Sequence, residues 1–235
     1  MDPNGHELWR WSVDGGEMGY ALHPQGIVYI LQADYINNSL FTLFAKDETT
    51  GQDRFPPIQL PMSQQGTLQP YSGLPSVLPD GNLYLPVEHA DDYTTDKLDL
   101  LKVAPDGTYT WIPLFTGGFC GVFGEFSEPH EVIPYGTDKF LVIWDKAYFQ
   151  SCQPSAPSEV AVFTTDGHLL NQYPIPLTRL GSYFSDNDGD VALGTEGNGY
   201  ITGAVIGSNI VTPILSFNVG EWKRPVRRYQ SAVYK

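Results

Sequence analysis

At 235 residues, with 41% hydrophobic and 17% charged side chains, the chain can bury one sizeable core, and its 24 Gly and 19 Pro break it into short pieces. The formal charge of −14 comes from 27 acidic residues, all at or before Glu221, against eight Lys or Arg in that span, and such a body argues against nucleic acid as a partner. No apolar stretch is long enough to cross a bilayer, no basic start followed by an apolar run marks a signal peptide, and no CxxC, CxxCH or paired Cys/His spacing offers a haem or zinc site.

In chain order, the predicted elements are short strands punctuated by turns, and two patterns recur. "DPNGHELWRW" (2–11) places Trp9 four residues past Gly5 and reads as the end of a repeat. "PQGIVYIL" (24–31) is a turn and a strand; "LFAKDETTGQDRF" (43–55) is a strand, a turn at Gly51 and a strand reaching Phe55. The pair returns as "PDGNLYLPV" (79–87) with "LLKVAPDGTYTW" (100–111), and as "YGTDKFLVIW" (135–144) with "VAVFTTDGHLLNQY" (160–173). Its last instance is "EGNGYITGAV" (196–205) with "ILSFNVGEW" (214–222). The aromatics Tyr29, Tyr84, Phe140 and Tyr200 stand 55, 56 and 60 residues apart, and the glycines Gly51, Gly107, Gly167 and Gly220 stand 56, 60 and 53 apart. Two independent markers keep nearly one period, which predicts a repeated supersecondary unit.

Within a period the order is strand, Gly turn, strand, loop, strand, Gly turn, strand. Asp-Gly pairs such as Asp166-Gly167 supply the positive φ of a tight hairpin. Each unit is therefore a four-stranded antiparallel sheet with two apolar faces, and such sheets must stack on one another. The expected fold is an all-β propeller with about four blades. An outer strand occupies 1–13, blades occupy 14–62, 63–117 and 118–178, and 179–235 holds a last blade and a basic end. That end carries Lys223, Arg224, Arg227, Arg228 and Lys235, and reads as an outer strand and linker. Four periods plus a spare outer strand suggest a segment of a larger propeller, with a closed four-blade ring as the alternative.

"AKDETTGQDRF" resembles the quinoprotein-type (PQQ-like) propeller repeat, Ala-x-Asp-x-x-Thr-Gly-x-x-x-Trp. Ala45, Asp47, Thr50 and Gly51 match, and Phe55 stands in the tryptophan position. The second repeat keeps Gly107 and Trp111, with Val103 and Asp106 replacing the Asp and Thr; the third keeps Ala161 and Gly167, with Asn171 in place of the aromatic. In the fourth, Trp222 falls only two residues past Gly220. The resemblance implies that these residues tie adjacent blades together through their outer strands, so Trp9, Phe55 and Trp111 are expected to be substantially buried at blade junctions.

Candidates for chemistry are few. Asp186, Asp188 and Asp190 surround Gly189 in "SDNDGD" (185–190), the raw material of a calcium loop, since calcium takes about six to eight oxygen ligands. The EF-hand order fails, because Phe184 falls at its first position and Thr195 at its twelfth, and a solvated acidic turn is the reading preferred. His130 lies between Glu128 and Glu131 just before a strand, and arylsulfotransferase-type propellers, which "PHEVIPYGTDKFLVIWD" resembles a little, use histidines near the central channel. It is the one candidate for catalysis, against a structural role. Cys120 and Cys152 either form one disulfide or remain two buried thiols. They are not the adjacent pair of quinoprotein dehydrogenases, and no cofactor is expected apart from a possible calcium ion. "QSCQPSAPSE" (150–159) is a polar loop of the kind propellers use for contacts. The expected function is a non-catalytic binding or scaffolding module of an exported or surface protein, soluble, with any export signal removed. Its partners would be a protein or carbohydrate, further blades or a second copy. The alternative is an enzyme domain with an axial site, arylsulfotransferase-like or quinoprotein-like.

Overall fold

Apolar residues at alternate positions of one strand point to opposite faces, so a strand apolar at nearly every position must be covered on both sides. "LYLPV" (83–87) is such a strand, and the fold follows from it. The structure is a computed structural model that describes residues 4–12, 18–34, 40–60, 71–92, 95–117, 119–120, 123–124, 126–146, 159–174, 191–193, 198–201, 204–206, 209–211 and 215–218. Among them there is no helix.

The first sheet contains β1 (Met18–His23), β2 (Ile27–Asp34), β3 (Leu40–Asp47) and β4 (Ile58–Gln59), antiparallel and in that order. In the second, the inner strand is split into β5 (Tyr71–Ser72) and β6 (Ser76–Val77), both paired with β7 (Leu83–Asp92), and β8 (Thr95–Val103) and β9 (Tyr109–Gly117) follow outward. A short hairpin, β10 (Phe119–Cys120) and β11 (Phe123–Gly124), precedes the third sheet. That sheet runs β12 (Phe126–Tyr135), β13 (Lys139–Lys146), β14 (Glu159–Thr164) and β15 (Leu169–Pro174). The last sheet has β16 (Val191–Leu193), β17 (Asn198–Ile201) and β20 (Leu215–Asn218); a separate hairpin of β18 (Ala204–Ile206) and β19 (Asn209–Val211) projects between β17 and β20. First strands of successive sheets touch, β1 with β6, β6 with β12 and β12 with β16, and define a common axis. The protein is a β-propeller built of antiparallel blades.

The core lies between the blades. Leu83, Leu85 and Val87 of β7, with Leu101 and Val103 of β8, pack on Ile27, Tyr29, Leu31, Leu43 and Ala45 of the first blade. From the same two strands Tyr84, Leu98 and Leu100 face the other way, onto Val132, Phe140, Val142, Ala161 and Phe163 of the third. The Phe140 and Phe163 rings stack at 5.4 Å, and Tyr84 lies 5.6 Å from Phe140. On the axis, β1 and the break between β5 and β6 come so close that a Cβ on Gly19 would stand 2.7 Å from Pro75 Cδ. Buried His23 joins the first two blades at their turns. It accepts the Gln25 N–H at Nδ1 (3.0 Å), which leaves the proton on Nε2, 2.9 Å from the Gly81 carbonyl.

Candidate functional site

Antiparallel order gives the propeller two unlike ends. At one end, first strands turn into second strands and third into fourth, through 24–26, 78–82, 104–108, 136–138 and 165–168. At the other end second strands finish and third strands begin, as at Lys146 of β13 and Glu159 of β14. Long connections on a rigid scaffold are where propellers place recognition.

At the tight-turn end the carboxylates serve their own turns. Asp47 Oδ1 accepts the Thr49 and Thr50 N–H groups (3.0 and 2.9 Å) and the Thr50 hydroxyl (3.1 Å). Those bonds, the Thr50 N–H first, hold its carboxyl below the usual range. Asp106 accepts the Thr108 hydroxyl and N–H and is lowered by them, and Asp166 is lowered by the Thr164 hydroxyl. Burial pushes Asp80 up, but bonds from Asn82, Tyr84 and Lys102 together outweigh it and the net shift is downward. Burial likewise pushes the Tyr29 hydroxyl up to about 12.

The repeat residues form a series of seats between blades. Gly51, Gly107 and Gly167 have φ of +70°, +88° and +88°, open to glycine at little cost. Each lies under a side chain from an earlier segment of the chain. A Cβ would stand 2.8 Å from Trp9 Cγ at Gly51, 2.5 Å from Phe55 Cγ at Gly107, and 2.1 Å from Ile112 Cγ2 at Gly167. Phe55 is buried at 8% exposure; Trp9 is half-buried, its Nε1 donating to the Glu48 carbonyl (2.7 Å). Gly5, at φ +85°, has nothing within 4 Å of a Cβ, and Ala45 is buried in the first core.

Trp111 faces the other way from Trp9 and Phe55. It is half-buried and turned back onto the core between the first two blades, and its neighbour Ile112 takes the seat on Gly167. In the first blade the ladder stops at the Lys46–Asp53 bridge, and "RFPP" (54–57) bends, turning Phe55 forward before pairing resumes at Ile58. The second blade lacks that proline pair, so Tyr109 to Ile112 stay in register with Val103 to Leu100 and strict alternation sends Trp111 backward.

Toward the loop end two features stand out. Glu88 is buried at 8% exposure and sits two and four residues beyond Pro86 and Tyr84, on the face of β7 turned to the third blade. His130 lies on β12, the strand packed against β7, where Pro129 pairs with Trp144 and Val132 with Val142, so that His130 and Glu131 oppose Ile143 alone. That is a bulge, a device often found beside functional sites because it re-aims the chain. β7 and β12 pack on each other, and Tyr84 packs on Phe140, which pairs with Pro134. The pattern reading missed Glu88, though an acid within "LYLPVEH" on a strand covered on both faces was a usable signal. Cys120 lies in β10, while Cys152, Asp186, Asp188, Asp190, Gly220 and Trp222 lie outside the described residues. No cluster of three metal-ligating side chains occurs among the described residues.

No protein-family model and no curated protein matches the chain. Similar solved structures include a puromycin hydrolase (12% identity, TM-score 0.47), of which the match covers 27% and 86% of this chain. An endo-arabinase from Bacteroides thetaiotaomicron matches at 12% identity and TM-score 0.49, over 93% of this chain and 77% of its own. A B. megaterium levansucrase mutant matches at 12% and 0.45, over 86% and 66%. This chain thus spans about a quarter of the hydrolase, 77% of the arabinase and 66% of the levansucrase. With TM-scores below 0.5, the fold assignment stands on the stacked sheets themselves, and none of these activities transfers.

Proposed function

We propose that this chain is a non-catalytic β-propeller binding module of an exported or surface protein, taking a protein or carbohydrate ligand at the loop end of its axis. One observation carries the reading: Asp47, Asp106 and Asp166 of the tight-turn end are committed to their own turns, whereas β7 carries a buried carboxylate, Glu88, and packs against the bulged inner strand β12. The seats of Trp9 on Gly51 and Phe55 on Gly107 support kinship with the quinoprotein-type repeat, since that repeat ties blades through such contacts. The acidic body favours ligands other than nucleic acid. A thermal-shift panel of oligosaccharides and peptides tests the proposal. A ligand should raise the melting temperature by mass action, and Glu88→Gln should weaken that rise while Asp106→Asn leaves it intact. A ligand sensitive to Asp106→Asn alone would refute the placement.

The bulge at His130 and Glu131 favours a second reading, an axial enzyme site of arylsulfotransferase type. Turnover of an aryl sulfate by the wild type, lost in His130→Ala with the fold intact, would establish it over the first.

A further inference from the structure

Residues 4–12 are fastened to the first blade by two indoles. Exposure alternates along them: Trp9 and Trp11 are half-buried, while Leu8 and Arg10 are exposed and Arg10 pairs with nearby Glu7 at 2.7 Å. That is an extended chain with one face down, yet 6–12 join no ladder. Beneath Trp9, Gly51 at φ +70° lets the backbone come close, a Cβ there standing 2.8 Å from the indole Cγ, and the Glu48 carbonyl accepts the indole N–H at 2.7 Å. Beneath Trp11 lie Phe44 and Lys46, on the face of β3 opposite Leu43 and Ala45. The Trp11 and Phe44 rings are 4.9 Å apart, and Lys46 Nζ, 2.7 Å from Asp53, lies 4.1 Å from the Trp11 ring. Two terms oppose this docking. Nine residues are ordered for two inward side chains, and Trp11 Nε1 is buried with no hydrogen-bond partner, a cost that undocking removes.

We propose that β3 and the 47–53 turn form a groove for an extended peptide of the pattern Trp-x-Trp, and that residues 4–12 are its exchangeable occupant. The described floor of the groove (Phe44, Lys46, Glu48, Gly51 and Asp53) belongs to the first blade, so the strap can leave while the sheets stay paired. When it leaves, Lys46 meets water and keeps Asp53, and a like peptide in trans can take both indole seats. The strap is thus a built-in competitor, and the groove's affinity for such a peptide is reduced by the fraction of chains in which it stands free. This site is separate from the one at the loop end.

Fluorescence anisotropy with a labelled peptide of residues 4–12 tests this. The full-length Trp9→Ala/Trp11→Ala variant, its groove vacated, should bind at least about tenfold more tightly than wild type. Adding Gly51→Ala should abolish that binding, while adding Gly136→Ala, at the same φ of +70° but far from any indole seat, should leave it unchanged. A peptide carrying Trp9→Phe should bind about fivefold more weakly, because it cannot donate to the Glu48 carbonyl. Far-UV circular dichroism of the double variant should match wild type. In the otherwise native chain labelled with 5-fluorotryptophan, Gly51→Ala should move the fluorine signals of Trp9 and Trp11 to their free-peptide positions and leave that of Trp111 in place. Equal affinity for wild type and the double variant, no binding to the double variant, or binding indifferent to Gly51→Ala would each overturn the proposal. So would loss of the blades' fold when the two indoles are removed, which would make the strap a fixed part of the first blade.

Discussion

Replacing Gly107 by alanine strikes the seat between the first two blades. Its φ of +88° costs an L-residue about 1–2 kcal/mol. The new methyl would also stand 2.5 Å from Phe55 Cγ and 2.7 Å from its Cβ, the near end of a buried ring that cannot swing aside without leaving the core. Overpacking of this kind costs about 1–3 kcal/mol, for a total of about 2–5 kcal/mol. Gly136→Ala is the control: its φ is +70°, but the nearest atom to a Cβ is Asp138 Oδ1 at 3.8 Å, so only the backbone cost applies. Urea unfolding followed by circular dichroism should show Gly107→Ala less stable than Gly136→Ala by about 1–3 kcal/mol. Phe55→Ala alone leaves a cavity and costs about 3–5 kcal/mol, yet combined with Gly107→Ala it removes the contacts with Cγ and Cδ1 and leaves only the 2.7 Å contact with Cβ, which the truncated side chain can shift to relieve. The double variant should therefore be more stable than the sum of the singles by about 1–3 kcal/mol. Equal costs for the two glycines, or strict additivity in the cycle, would refute the seat.

Three further outcomes follow from particular residues. Ile112→Ala should cost about 1–3 kcal/mol and loosen the junction of the second and third blades, while Trp111→Ala acts on the junction of the first and second; hydrogen exchange resolved by strand separates them, and a loss at the same junction in both would contradict the facing given to Trp111. Asp47, Asp106 and Asp166 have folded pKa values below their unfolded value of 3.8, so their contribution is present above that pH and is lost as pH falls through the folded values. Stability should hold down to about pH 5 and decline below about pH 4, and the triple Asn variant should show a shallower decline; an unchanged profile would remove these turns from the account. Millimolar calcium should leave the melting temperature unchanged if Asp186, Asp188 and Asp190 form only a turn, and a rise abolished by Asp188→Ala would show a bound ion.

The blade architecture was legible because two periodic markers, an aromatic strand and a turn glycine, are set by local chemistry: alternation on the strand and positive φ in the turn. The facing of Trp111 was not, because spacing from the glycine does not say whether the chain stays in the ladder. Pro56 and Pro57 carry that information, since neither can donate a ladder hydrogen bond, and "TWIP" lacks the pair. At the loop end, the pattern places His130 before an inner strand, but the bulge depends on pairing with β13, which no local signal fixes. Glu88 becomes notable only once both faces of β7 are known to be covered.

The central claim, that recognition belongs to the loop end of the axis, is tested most directly by the hydrogen-exchange footprint of a ligand found in the thermal-shift panel. Protection is predicted at the loop-end halves of the inner and second strands, residues 71–72, 86–92 and 126–132, with the turns at 47–51, 104–108 and 164–168 unchanged. Protection confined to those turns would contradict it.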